Sequence, residues 1–323
     1  MRLRPPRRLV VLVLALAGAG LAVYTLRNLD LGALAGALGG VDPRWAAVAA
    51  VLECLTLALA AAAWRIGMGA GDLGPVPLRH VLAAHWIGQA ANSVLPARLG
   101  EAARVMTLRR HVRHLPRPVA HLAGSLVAQR FLAGVVSFVA VVLVAMAIPL
   151  PGPLSDVRWG ALGALAVALA VGMVERRLGI AKRIARRLPS RVQGVTSGMA
   201  AGAAVLGSPR ARNWSLVLHL AELAAQLGSI MCLLLAFRIG TPLSAALLVF
   251  CLTAVASLVP ALPGGLGISQ VALVVPLGAA YGVAAPLALA FSLGRQGIVL
   301  AVALGGGLIA LAHQRVSRRR AAT

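Results

Sequence analysis

The sequence predicts an all-α protein, a polytopic bundle of transmembrane helices that forms one domain over residues 1–323. Three observations carry this. Sixty per cent of the 323 residues are hydrophobic and the mean hydropathy is +0.89, more apolar surface than a soluble core of this length can hide from water. The apolar residues come in stretches close to the ~20 needed to span a hydrocarbon layer. The 31 basic residues fall in short blocks between those stretches rather than along one polar domain.

That distribution also decides what the net charge of +23 means. A basic chain can bind nucleic acid, or it can hold membrane loops in the cytoplasm by arginine excess. The interspersed blocks favour the second reading. Five Trp and two Tyr offer few rings for stacking on bases, so no nucleic-acid partner is expected. Lys182 is the lone lysine among the basic residues, a usage that reflects GC-rich coding more than chemistry. Cys54, Cys232 and Cys251 lie inside apolar stretches without CxxC or Cys/His spacing, which indicates neither disulfides nor a zinc site.

Taken in order, the expected spans are 9–26, 45–64, 118–148, 159–174, 214–236, 242–259, 268–283 and 286–312. Met1–Arg8 followed by the first apolar run has the form of a signal peptide, and Arg7-Arg8 invites a twin-arginine reading. An uncleaved helix is favoured, because the run is about long enough to span and further spans follow. Arg2, Arg4, Arg7 and Arg8 place the N-terminus inside, so the second span returns to the cytoplasm at Arg65.

The apolar stretch 78–95 cannot then cross, since crossing would carry Arg98, Arg104, Arg109, Arg110, Arg113 and Arg117 outside against the positive-inside rule. It is expected to be re-entrant or a half helix, with Gly88, Gln89, Asn92, Ser93 and Pro96 interrupting its apolar pattern. On this topology both termini are cytoplasmic. All basic residues then fall inside except Arg27, Arg44, Arg158 and Arg238, on external connections, and Arg130 and Arg295, within spans. Residues 242–283 either cross twice or form a second re-entrant hairpin, with the same parity.

Glu53, Arg130, Glu222 and Arg295 lie within spans, where a central charge costs about 2.5–3.5 kcal/mol. They are expected to face the interior, either as structural ion pairs or along a hydrated path. Polar residues recur on helical faces around them: His85, Gln89 and Asn92; His121, Ser125 and Gln129; His219, Glu222 and Gln226; Ser292, Arg295 and Gln296. Several such stripes imply one shared polar interior. A lone stripe would signal helix–helix hydrogen bonding.

Leu95-Pro96-Ala97-Arg98-Leu99-Gly100 is echoed by Leu262-Pro263-Gly264-Gly265-Leu266-Gly267, a candidate internal repeat of the kind that marks transporter sites. Pro ends a helix, Gly frees the backbone, and the next helix opens with N–H groups that can hold an anion such as a lipid phosphate. Arg98 and Arg104 would add charge-assisted contacts. The plainer reading makes them loop arginines drawn to anionic headgroups.

At these motifs the chain resembles the flippase-like integral membrane family related to the membrane region of lysylphosphatidylglycerol synthase. The resemblance rests on Gly88-Gln89 through Asn92, Leu95 through Glu101 with Arg104, Gln129-Arg130-Phe131-Leu132, Pro260 with Pro263-Gly264-Gly265-Leu266-Gly267, and Leu293-Gly294-Arg295. It covers about Arg65 to Gly307. It implies a multi-pass protein of a bacterial plasma membrane, linked to lipid translocation or envelope biogenesis. With the intramembrane acid Glu222 added to the residues of these motifs, the candidate binding residues are Gln89, Asn92, Arg98, Glu101, Arg104, Arg130, Glu222, Pro263, Gly264, Gly265, Gly267, Gln270 and Arg295.

Two departures matter: Gln129 and Gln270 stand where the family pattern has Glu. Losing those acids is expected to leave Arg130 and Arg295 short of partners, which disfavours proton coupling and suits the arginines to an anion. Family synthases also carry a soluble aminoacyl-transfer domain, whereas this sequence ends at Thr323. With no HExxH, GxSxG or paired carboxylates, no catalytic residue, metal or cofactor is expected. The leading expectation is an anionic membrane lipid as ligand. The alternatives are a non-catalytic partner of an envelope-synthesis enzyme, or a lipid-phosphate enzyme using His85, His121 or Glu222.

Overall fold

The computed structural model describes residues 31–147 except 72, 75, 96–98, 113 and 116, then 190–240, 243–256 and 268–320. The expected spans 9–26 and 159–174 lie outside the described residues, as do Arg98, Pro263, Gly264, Gly265 and Gly267. Among the described residues the structure is entirely helical, without strands. The helices are α1 (Leu31–Gly39), α2 (Pro43–Gly69), α3 (Leu78–Val94), α4 (Gly100–Leu108), α5 (Pro118–Ala147), α6 (Ser190–Gly202), α7 (Pro209–Ala236), α8 (Leu243–Ala256), α9 (Ile268–Tyr281) and α10 (Ala285–Arg320). Helices α2, α5, α7 and α10 each contain a segment long and apolar enough to cross a membrane.

The scaffold is the pair α2 and α7. Asp42 caps α2 by accepting from the Arg44 amide at 2.9 Å, with Pro43 in the first turn. Ser208 and Pro209 begin α7 in the same manner. The Asp42 amide donates to the Ala236 carbonyl at 2.9 Å, which ties the start of α2 to the end of α7. Farther along, the Ser229 hydroxyl donates to the Ala49 carbonyl at 3.0 Å. Small residues such as Ala49, Ala60, Ala61 and Ala63, all buried, let the backbones approach as closely as membrane packing favours. One apolar core gathers Leu233, Leu234, Phe237, Phe250, Leu277 and Phe291. There Phe237 and Phe291 meet edge to face at 5.9 Å. A second core holds Trp64, Met68, Val81, Leu108 and Leu122.

Helix α3, with 17 residues, is about 25 Å long and α4, with 9 residues, about 14 Å, both short of the ~30 Å hydrocarbon layer. The two fold back on each other as a hairpin. Helix α3 runs unbroken through Gly88, Gln89, Asn92 and Ser93, because the Ser93 hydroxyl turns back onto the Gln89 carbonyl at 3.0 Å and no side chain there opens the backbone. The break comes at Leu95, whose extended backbone (φ −92°, ψ 141°) is the conformation a following proline imposes. The indole of Trp86 in α3 lies on Gly306 of α10, where a methyl group would overlap the ring, and Ala90 packs against Gly307 in the same way.

Helix α6 lies backbone to backbone on α5. A Cβ at Gly124 would overlap the Met199 carbonyl, and one at Gly202 the His121 carbonyl. Gly124→Ala is therefore expected to lower stability by about 1–3 kcal/mol, because the obstructing atoms are main chain and cannot turn aside. Gly297 has nothing within 4 Å of a built Cβ, so Gly297→Ala should leave the protein as stable or make it more so. Unfolding of the purified variants in detergent compares the two.

Candidate functional site

The hairpin elbow places a polar cluster inside the bundle. Asn92, near the end of α3, accepts from the Gly100 amide through Oδ1 at 2.7 Å and so satisfies a donor at the start of α4. Glu101 follows in the first turn of α4, where a carboxylate suits the helix dipole. Its carboxylate accepts from Arg104 at 3.2 and 3.4 Å. It also accepts from Arg130 of α5 at 2.7 Å, and from the Asn92 amide at 3.5 Å. Arg104 reaches back to donate to Gln89 Oε1 at 3.1 Å.

Arg104 is fully buried, which requires a notch in the surface of α3. Gly88 opens it, since a Cβ there would overlap the Arg104 side chain. A Cβ on Gly100 would likewise overlap the Gly88 carbonyl and the Asn92 side chain. The two glycines let α3 and α4 cross at backbone distance with an arginine between them. Arg130 differs from Arg104 in being 46% exposed, and Glu101 is 33% exposed, so the cluster opens on one side.

A second polar group lies deeper, on α2, α7 and α10. His219 and Glu222 of α7 are joined by a 2.6 Å contact between Nδ1 and Oε2. They line a void of about 20 Å³ together with Ser137 of α5 and Gln226. Glu53 is coupled electrostatically to Glu222 and to Arg295. His85 of α3 links the two groups, within electrostatic range of Arg104, Arg130 and His219. His85, Gln129, His219 and Ser292 are buried, and each has at least one polar side-chain atom without a hydrogen-bond partner.

The lysylphosphatidylglycerol synthase TM region family matches residues 9–307. The chain belongs to this family. None of the curated proteins matches it. As a member of the lysylphosphatidylglycerol synthase TM region family with four helices of membrane-crossing length among the described residues, it is a multi-pass membrane protein, and the matched region is a membrane region rather than a catalytic one.

In this family member the predicted residues Gln89, Asn92, Glu101, Arg104 and Arg130 converge at the elbow, and Glu222 and Arg295 belong to the deeper group. Gln270 is buried on α9. Arg130 is not short of a partner, contrary to expectation, because the carboxylate of Glu101 stands in for the acid that Gln129 lacks. Glu53 was legible as an intramembrane acid but not as a member of the deeper group. The role of Gly88 was hidden, because a glycine in a helix carries no mark of the side chain that will cross it.

At the far end of α4 the rings of His80 and His111 stack with centroids 4.0 Å apart. Burial, His80 and Arg110 together push the His111 imidazole down from 6.5 to about 4. As pH falls, the unfolded chain binds this proton first. The stabilising contribution of His111 is therefore complete above pH 6.5 and is lost as pH falls toward about 4. His111→Gln should flatten the decline of thermal stability across that window.

Proposed function

We propose that the protein binds an anionic lipid headgroup at the α3–α4 elbow and translocates it across a bacterial plasma membrane, with both termini cytoplasmic. The observation that carries this reading is a fully buried guanidinium, Arg104, and a half-exposed one, Arg130, meeting across one carboxylate. Two cations against one anion leave a local positive charge, and the exposed side of Arg130 is where a phosphate can reach it. Charge-assisted hydrogen bonds of this kind are worth about 1.5–3 kcal/mol each. Arg104 fixes Glu101 and Gln89, and so holds the elbow in shape while the headgroup exchanges at Arg130. The acyl chains stay in lipid beside α5.

Proteoliposomes containing acyl-labelled phosphatidylglycerol test this by the fraction of label that becomes protected from an external quencher. Wild-type protein should speed transfer over protein-free vesicles, and Arg130→Gln should slow it about tenfold or more, the equivalent of one lost charged hydrogen bond. Transfer no faster than in empty vesicles for any anionic lipid would overturn the reading. For the topology, Arg109→Cys in a background with Cys54, Cys232 and Cys251 replaced by Ala should react with an impermeant maleimide only from the cytoplasmic side.

A further inference from the structure

Arg130 is the single Asp, Glu, Lys or Arg in the 26-residue apolar segment Pro118–Leu143 of α5. It stands at the middle of that segment, about 18–20 Å along the helix from either end. In a hydrocarbon layer ~30 Å thick it lies near the midplane, about 15 Å below the depth of lipid headgroups. A charge at that depth ordinarily turns to the bundle interior or a wet cavity. Arg104 turns inward and is fully buried. Arg130 keeps 46% of its side chain exposed, and the carboxylate it bonds is shared with Arg104.

The surface around that exposed side is apolar. Val127 and Phe131, three residues before Arg130 and one after it, are each 59% exposed. Val135 of the same helix and Leu99 at the start of α4, two residues ahead of Glu101, are exposed as well. Gly134 stands one helical turn beyond Arg130 on the same face, exposed and with nothing within 4 Å of a built Cβ. The charge therefore stands in an open apolar surface, with free space beside it where a side chain would be.

Depth and surroundings together select the ligand. A soluble anion would give up its hydration to reach the midplane and gain no apolar contact there. A lipid brings its own apolar part, and its chain can lie along Val127, Phe131 and Leu99 while its phosphate meets Arg130. Moving a chain from lipid to protein gains little by itself, since lipid tails are as apolar as leucine. The guanidinium is what distinguishes this patch from the rest of the lipid-facing surface.

We infer that the α4–α5 face around Gly134 is a lateral seat for one acyl chain of an anionic lipid whose headgroup Arg130 holds, so that the lipid enters sideways from the bilayer. The inference rests on the anionic-lipid half of the reading above and not on translocation. Gly134 keeps the seat open, because a larger side chain would fill the space beside Arg130.

Full-length protein in bilayer nanodiscs, with a trace of phosphatidylglycerol carrying a diazirine in one acyl chain, tests this by photolabelling and peptide mass spectrometry. Labelling of residues 127–135 should exceed that of Val51, an exposed apolar residue of α2 that serves as the reference for boundary lipid. Excess unlabelled phosphatidylglycerol should lower it, and soluble glycerol 3-phosphate should not. Arg130→Gln and Gly134→Phe should each reduce it about tenfold, the equivalent of one lost charged hydrogen bond, with Val51 labelled as before. Gly134→Phe keeps both ion pairs and serves if Arg130→Gln fails to fold. Equal labelling of the two surfaces, or labelling at 127–135 that neither variant lowers, would overturn the seat, because ordinary boundary lipid behaves in that way. Competition by glycerol 3-phosphate would overturn lateral entry in favour of a site reached from water. A labelled seat in a protein that moves no lipid in proteoliposomes would sustain this inference while overturning translocation, and transfer without a labelled seat would do the reverse.

Discussion

A charge inside a membrane protein is held by its partners, and here one carboxylate holds two guanidinium groups. Glu101 lies between the buried Arg104 and the half-exposed Arg130, and most of the local architecture exists to bring those three side chains together. The break at Leu95 turns the chain. Asn92 occupies the first free amide of the new helix, and Gly88 leaves the notch that Arg104 fills. Without the turn, Glu101 would be carried away from α5 and Arg130 would stand in the membrane with no described counter-charge. In the proposed reading, stability and ligand recognition draw on the same few atoms, since the ion pairs that make the elbow affordable in a low dielectric are those an incoming anion would compete with.

The rest of the bundle holds this hairpin still. Helices α2 and α7 are joined at both a cap and a serine–carbonyl bond. Their shared surface is lined with alanine and serine, so packing comes from close backbone approach rather than from large side chains. Lipid tails are as apolar as leucine, and close packing of small residues is the advantage that helices have over lipid. Glycines do the same for α5 against α6 and for α3 against α10.

The helical bundle was legible in composition and hydropathy because membrane-crossing helices need a repeated length of apolar chain, and that length is a linear property. The elbow was legible in part. Leu95 and Pro96 announce a break, and Glu101 and Arg104 sit three apart, where a helix makes them neighbours. The union of Glu101 with Arg130 was not readable, since it depends on which face of α5 turns toward α4. Hydropathy is silent on rotation about a helix axis. For the same reason the acids lost at Gln129 and Gln270 suggested unpaired arginines, when a neighbouring helix supplied a carboxylate in place of the first. Gly88, Gly306 and Gly307 show the same limit, since their significance is entirely in what crosses them.

Trp86 lies on Gly306 as a pawl lies in a notch. Rotating α3 about its own axis would drive the indole into the flanking turns of α10, and sliding it would press the ring against residues that have a Cβ. The hairpin and α10 therefore interlock along this contact. Arg295 of α10 attracts the carboxylate of Glu53 on α2, so charge as well as packing joins α10 to the α2–α7 pair.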